Sequence, residues 1–220
     1  MNITPETVFR RSEELHAEVF ENSDLTGKII GLSLWSALCA GLYGFTMGIH
    51  HSPAQSVSSL IKVPLLFAAT LLISIAPLHF IGLFLGSRLS FAQTLTLLLW
   101  GTAVMSVLLA GFAPVSLFFL LSGSGYAFML LLHVSIFAFC GLAGLATVHR
   151  NMRRLDREPA GGANQRYLLL LWMFLYMFVG TQMAYTLSPF LGKESEFVII
   201  GGADGNFYSH VLESIGELFK

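Results

Sequence analysis

His133 stands deep in the stretch between Arg88 and Arg150, which carries no Asp, Glu, Lys or Arg and whose other histidine, His149, lies at its very end. An ionisable group in so apolar a run invites two readings, a hydrogen bond to a neighbouring helix or a role toward a proton, ion or ligand. The first is favoured, because a neutral imidazole is much cheaper to bury than an ammonium or a carboxylate. His79, two residues after Pro77 in another apolar run, is read the same way. No carboxylate accompanies either histidine, so a proton relay lacks its usual members. Lys62, directly before Val63-Pro64, is expected to snorkel toward headgroups. The alternative makes it a selectivity charge at a mouth near His50 and His51. Those two histidines are adjacent and have no acid or cysteine company, so no metal site is expected from them. Thr181 and Gln182 form the most polar point of the last apolar run, where an interhelical hydrogen bond is the favoured use.

Other patterns that resemble chemistry dissolve on inspection. Gly201-Gly202-Ala203-Asp204-Gly205-Asn206 lacks the spacing and the Lys-Ser/Thr of a phosphate loop and reads as a turn. No Gly-x-Ser-x-Gly, His-Glu-x-x-His or paired intramembrane Asp motif is present, so no enzyme and no catalytic residue are expected. Cys39 and Cys140 fall in apolar runs, where a thiol packs as a small hydrophobe. No cofactor and no nucleic-acid partner are expected.

The elements that must position these residues are set by composition. Charged residues make up 11% of the 220, against about 25% in soluble domains, so the solvent for most of the chain is a lipid bilayer. Five apolar runs are long enough to cross about 30 Å of hydrocarbon. They are Ile29 to Ile49, Val63 to Ser87, Phe91 to Pro114, Gly125 to Val148 and Tyr167 to Pro189. The expected fold is an all-α polytopic transmembrane bundle of about five spans. Residues 29–190 form its membrane domain, 1–28 a cytoplasmic amphipathic N-terminal helix, and 191–220 an extracytoplasmic tail. Val115 to Leu121 is either a short re-entrant turn or an extension of the third span.

Orientation follows from the basic residues. With five spans and the N-terminus inside, 9 of the 12 lysines and arginines lie on the cytoplasmic side, every arginine among them. The cluster Arg150, Arg153, Arg154 and Arg157 is accounted for by topology alone, although it could also meet anionic headgroups. The early chain lacks the basic region and apolar core of a cleavable signal, so the first span is expected to remain as an anchor.

The tails are read as compact amphipathic pieces. Thr4 and Pro5 look like a helix start, and Val8, Leu15 and Val19 line one face of an otherwise acidic helix. Its glutamates would be repelled by anionic lipid, so it is expected to dock on the protein's own loops or on a partner. The C-terminal tail reads as a strand from Glu196 to Ile200, a turn, and a helix from Phe207 to Phe219. Within the spans, Gly41, Gly44 and Gly48, and Ala138, Gly141 and Gly144, leave smooth strips that let helix backbones approach closely.

Phe178-Val179-Gly180-Thr181-Gln182, Leu187-Ser188-Pro189-Phe190-Leu191-Gly192, Gly205-Asn206-Phe207-Tyr208, Lys62 to Phe67 and Ala113-Pro114-Val115 resemble an uncharacterised family of bacterial five-span membrane proteins. Some members are labelled "actin-binding WH2 domain-containing". The resemblance covers most of the chain and implies topology and a bacterial cytoplasmic (inner) membrane. Where that family carries Trp-x-Leu-Arg-Pro-Phe, this chain has Tyr185-Thr186-Leu187-Ser188-Pro189-Phe190, without the arginine. Asp24-Leu25-Thr26-Gly27 is similar to Yip1-type five-span proteins. The expected function is a non-enzymatic membrane component that forms a homo-oligomer or joins a membrane complex. The alternative is a small channel or transporter subunit lined by Ser/Thr, Gln182 and His133.

Overall fold

Polar residues at run boundaries decide where the helices begin. The computed structural model describes residues 8, 12–21, 23–84, 89–155, 163–187 and 216. It contains α1 (Ser12–Phe20), α2 (Leu25–Gly48), α3 (Pro53–Phe84), α4 (Phe91–Leu121), α5 (Tyr126–Leu155) and α6 (Ala163–Thr186), with no strand among the described residues. Asp24 caps α2, its carboxylate accepting from the Gly27 amide at 3.2 Å. The cap leaves no room beside it, since a Cβ on Gly27 would lie 2.4 Å from Asp24 Oδ2. Ser52 caps α3 through the Gln55 amide, with Pro53 at the first helical position, where its missing N–H costs nothing. Ser90 and Gln93 close a full capping box on α4.

Four of these helices, α2, α3, α4 and the Tyr126–Asn151 part of α5, are long and apolar enough to cross a membrane. They identify a multi-pass membrane protein. At 32 residues, α3 is about 48 Å long, well beyond the roughly 30 Å of a hydrocarbon core.

Several boundaries differ from the sequence expectation. The second apolar helix starts at Pro53, ten residues before Val63, and takes in Gln55, Ser56, Ser59 and Lys62, all of which are buried. Pro64, Pro77 and Pro114 lie inside helices. Neighbouring helices and Ser/Thr side chains compensate such breaks within a membrane bundle, which a soluble helix rarely achieves. Val115–Leu121 therefore continues α4, and the break comes at Ser122–Gly125, where Gly123 takes φ +77° and its amide reaches Leu120 O at 3.1 Å. The Thr4 helix start, the strand at Glu196–Ile200 and the helix proposed at Phe207–Phe219 lie outside the described residues, save Gly216.

Burial is inverted relative to a water-soluble protein. On α2, Ile30, Leu34, Leu38 and Leu42 are exposed while Lys28, Leu32, Ser36, Ala40 and Tyr43 are buried, two stripes of period about four on opposite faces. On α3 the buried face carries Gln55, Ser59, Lys62, Thr70 and Ser74. Apolar side chains outside and polar ones within suit a lipid solvent, where the polar groups need internal partners.

The helices pack in the order α5, α4, α2, α3, α6, with α5 and α6 also in slight contact. Glycines set the closest crossings. A Cβ on Gly44 would come within 2.3 Å of Ser59 O, and one on Gly48 within 2.4 Å of Ser56 Cα, so α2 and α3 meet backbone to backbone. Gly101 of α4 and Gly144 of α5 form a second such crossing, a Cβ on Gly144 falling 2.7 Å from Gly101 O. Two apolar cores result. One lies where α2 and α4 begin, around Leu32, Leu78, Leu97, Trp100 and Val148, and includes Val8, Leu15 and Val19 from the N-terminal segment. The other lies at the opposite end, around Tyr43, Val63, Phe67, Leu109 and Cys140.

Candidate polar site inside the bundle

Tyr43 and His133, ninety positions apart, share the most specific polar contact in the protein. The Tyr43 hydroxyl and His133 Nδ1 are 2.7 Å apart, and the rings meet edge to face at 5.5 Å. Tyr43 is fully buried and His133 is 2% exposed. Phe137 stands edge-on to Tyr43 and to Phe67, which closes the site with aromatic edges from three helices. His133 Nε2 is buried and has no hydrogen-bond partner among the described residues. The buried Ser116 hydroxyl lies beside the Tyr43 hydroxyl without completing a hydrogen bond of good geometry. When Tyr43 donates to Nδ1, Nε2 carries the imidazole hydrogen, so the pair holds one tautomer and ties α2 to α5. The helix runs on to Leu155, beyond the expected end at Val148, so His133 stands in the first third of α5 rather than near its middle.

This contact yields a modest stability prediction. Tyr43→Phe keeps the ring but removes the link, and should cost about 1 kcal/mol, the ordinary value of an interhelical hydrogen bond in a bilayer. Reversible unfolding in mixed micelles measures it; an unchanged midpoint would show that the hydroxyl contributes nothing.

The other singled-out residues do not converge on His133. His79 pairs with Thr94 Oγ1 at 3.3 Å and stands edge-on to Phe91, which ties α3 to α4 at the other end of the bundle. His50 lies edge-on to Tyr126 at 6.2 Å, and His51 Nδ1 is 3.1 Å from its neighbour's Ser52 Oγ. Lys62 is 6% exposed and faces into the bundle. Thr181 donates to Phe178 O in its own helix, and Gln182 is half-buried on α6, which packs on α3. Gly41, Gly44 and Gly48 face α3, Gly144 faces Gly101, Gly141 touches only the end of Met105, and Ala138 is exposed. Arg150 is exposed and Arg153 and Arg154 lie in the last turn of α5, whereas Arg157 is outside the described residues. Among the described residues no group of three His, Cys, Asp or Glu side chains is placed to hold a metal ion.

Most interior hydroxyls are satisfied within their own helix. Thr70 donates to Leu66 O, Thr96 to Ala92 O, Thr102 to Leu98 O and Ser106 to Thr102 O, each at 2.7–3.0 Å. Such back-bonding removes the hydroxyl hydrogen from any pathway through the bundle. A small apolar cleft between α4, α5 and α6, bordered by Gly101, Thr102, Gly141 and Tyr176, has room for little more than a water molecule.

Gln93 and Trp100 were not anticipated as functional. Gln93 Nε2 donates to Val19 O at 3.0 Å while its Oε1 accepts from the Ser90 amide, and Trp100 Nε1 donates to Val8 O at 3.2 Å. The Ser90-x-x-Gln93 spacing was a readable capping signal; nothing near Trp100 marked its partner ninety-two positions away.

Compared with known protein families, curated proteins and solved structures, the chain matches none.

Proposed function

We propose that this chain is a five-span component of a bacterial cytoplasmic membrane, N-terminus inside and C-terminus outside, that acts without catalysis by assembling with itself or with partner proteins. The fifth span is α6, and the orientation rests on the arginines, all of which then lie on the cytoplasmic side. The observation that carries the reading is the back-bonding of Thr70 on α3 and of Thr96, Thr102 and Ser106 on α4 within their own helices, together with glycine-mediated backbone crossings. Both suit a rigid packing unit better than a hydrated path. The resemblance to bacterial five-span proteins agrees with this topology.

One observation favours a second reading, a small channel or transporter subunit. Gln55, Ser59, Lys62, Thr70 and Ser74 form a buried row along α3, and His133 Nε2 lacks a partner at the end where that row begins. Crosslinking in the native membrane followed by mass measurement, with ion flux in liposomes beside it, separates the two. Defined oligomers or complexes without flux support assembly. A flux that His133→Ala abolishes would replace it with the conduit.

A further inference from the structure

The N-terminal segment occupies a seat that is built for it. Val8, Leu15 and Val19 are at most 2% exposed and belong to the apolar core formed where α2 and α4 begin and α3 and α5 end. Two side chains of α4 reach the segment's backbone, Trp100 at Val8 O and Gln93 at Val19 O. Lys28 of α2, only 3% exposed, meets Glu18 Oε2 at 3.0 Å and also donates to Ser23 O. Glu14, Ala17 and Glu21 face outward.

The division of labour among these contacts is informative. The two hydrogen bonds go to main-chain carbonyls and would accept any helix backbone in that position. Selectivity therefore falls to the apolar pair Leu15 and Val19, four residues apart on one helix face, and to the acid at position 18. The apolar face of α1, Leu15 and Val19, is buried in the seat, so packing there supports its helicity. The seat depends equally on an occupant, because vacating it removes the acceptor from Trp100 and Gln93 and the carboxylate from the buried Lys28. Exchange of one occupant for another avoids that cost. The arm joins α2 through only a few residues, with Asp24 at φ 45°, a left-handed conformation that aspartate tolerates better than most residues.

We infer that this seat is a receiving groove for an acidic amphipathic helix and that the chain's own N-terminal arm is its exchangeable occupant, latched by Glu18 against Lys28. The occupant that replaces it is the arm of a second copy. The choice of a second copy rests on the self-assembly reading, whereas the peptide measurement below reads the seat by itself, so a failure there is distinct from a failure of whole-chain crosslinking.

The test uses the full chain in nanodiscs of neutral phosphatidylcholine and a fluorescent synthetic peptide of residues 1–24, with binding to empty nanodiscs subtracted. Glu18→Lys in the full chain sets two ammonium groups against each other, loosens the resident arm, and should bind the unaltered peptide about tenfold more tightly than the unaltered chain does. Lys28→Glu provides the reciprocal case and should prefer a peptide carrying Glu18→Lys over the unaltered one. That swap rescues specificity only if the two charges meet in the bound state. Equal binding of the unaltered peptide by the unaltered and Glu18→Lys chains, or no binding by either, overturns the inference, as does a Lys28→Glu chain indifferent to the peptide's charge.

Discussion

Exchanging Gly44 for leucine is expected to cost at least about 3 kcal/mol of stability and to part the α2–α3 hairpin, the upper end of what overpacking usually does. The reason is geometric. Any Cβ at this position would lie 2.3 Å from Ser59 O and 2.8 Å from Val63 Cγ2, and the first of these is backbone that no rotamer change can move. Leucine adds three more carbons in the same direction. Gly44→Ala should already destabilise, by about 1–3 kcal/mol. Gly111, on the same kind of helix, is the control: a Cβ there meets nothing within 4 Å, so Gly111→Ala should be neutral or slightly stabilising. Equilibrium unfolding in mixed micelles reads all three. Equal midpoints for Gly44→Leu and Gly111→Ala would mean that α2 and α3 do not meet as described.

Trp100→Ala should be the second severe change, with a loss of about 3–5 kcal/mol, the range seen for truncating a large aromatic in a packed core. Trp100 is 1% exposed, sits in the core that includes the N-terminal segment, and donates to Val8 O. Two effects are combined in that loss, and Trp100→Phe separates them. Phenylalanine retains most of the packing but leaves Val8 O without its donor, so it should cost only about 1 kcal/mol. Maleimide labelling of a Val8→Cys chain reports the arm directly. Labelling should rise strongly with Trp100→Ala and modestly with Trp100→Phe. If neither change alters it, Trp100 does not hold the arm.

How much of this was legible in the residues depends on which solvent wrote the pattern. Hydrocarbon demands long uncharged runs, so α2, α4 and α5 could be read from hydropathy, and the turn at Ser122–Gly125 from its glycines. The first ten residues of α3 could not. Gln55, Ser56, Ser59 and Lys62 resemble a loop by hydropathy, yet all four are buried, the first three against the glycine face of α2, where small or hydrogen-bonding side chains are what fits. Pro114 misled for a similar reason, because a helix-ending signal in water is tolerated inside a membrane bundle. Asp24-Leu25-Thr26-Gly27 turned out to have a local physical meaning as the cap of α2. The site was legible only by half. His133 stood out because it is ionisable, while Tyr43, its partner, resembled any other aromatic residue in an apolar run, and no local rule links positions 43 and 133. The N-terminal segment's apolar face was visible in Val8, Leu15 and Val19; its seat on α4 emerged only from tertiary contacts through Gln93 and Trp100.

On α2 the leucines at 34, 38 and 42 turn to lipid, and the small and polar side chains of Ser36, Ala40 and Tyr43 turn inward. Spin labels at Leu34→Cys, Leu38→Cys and Leu42→Cys, and at Ser36→Cys for comparison, test this in vesicles of chains whose Cys39 and Cys140 are replaced by alanine. The three leucine positions should be highly accessible to dissolved oxygen and inaccessible to a water-soluble nickel chelate, and position 36 should be shielded from both. Ready access of the nickel chelate to positions 34, 38 and 42 would contradict the account, because the apolar stripe would then face water.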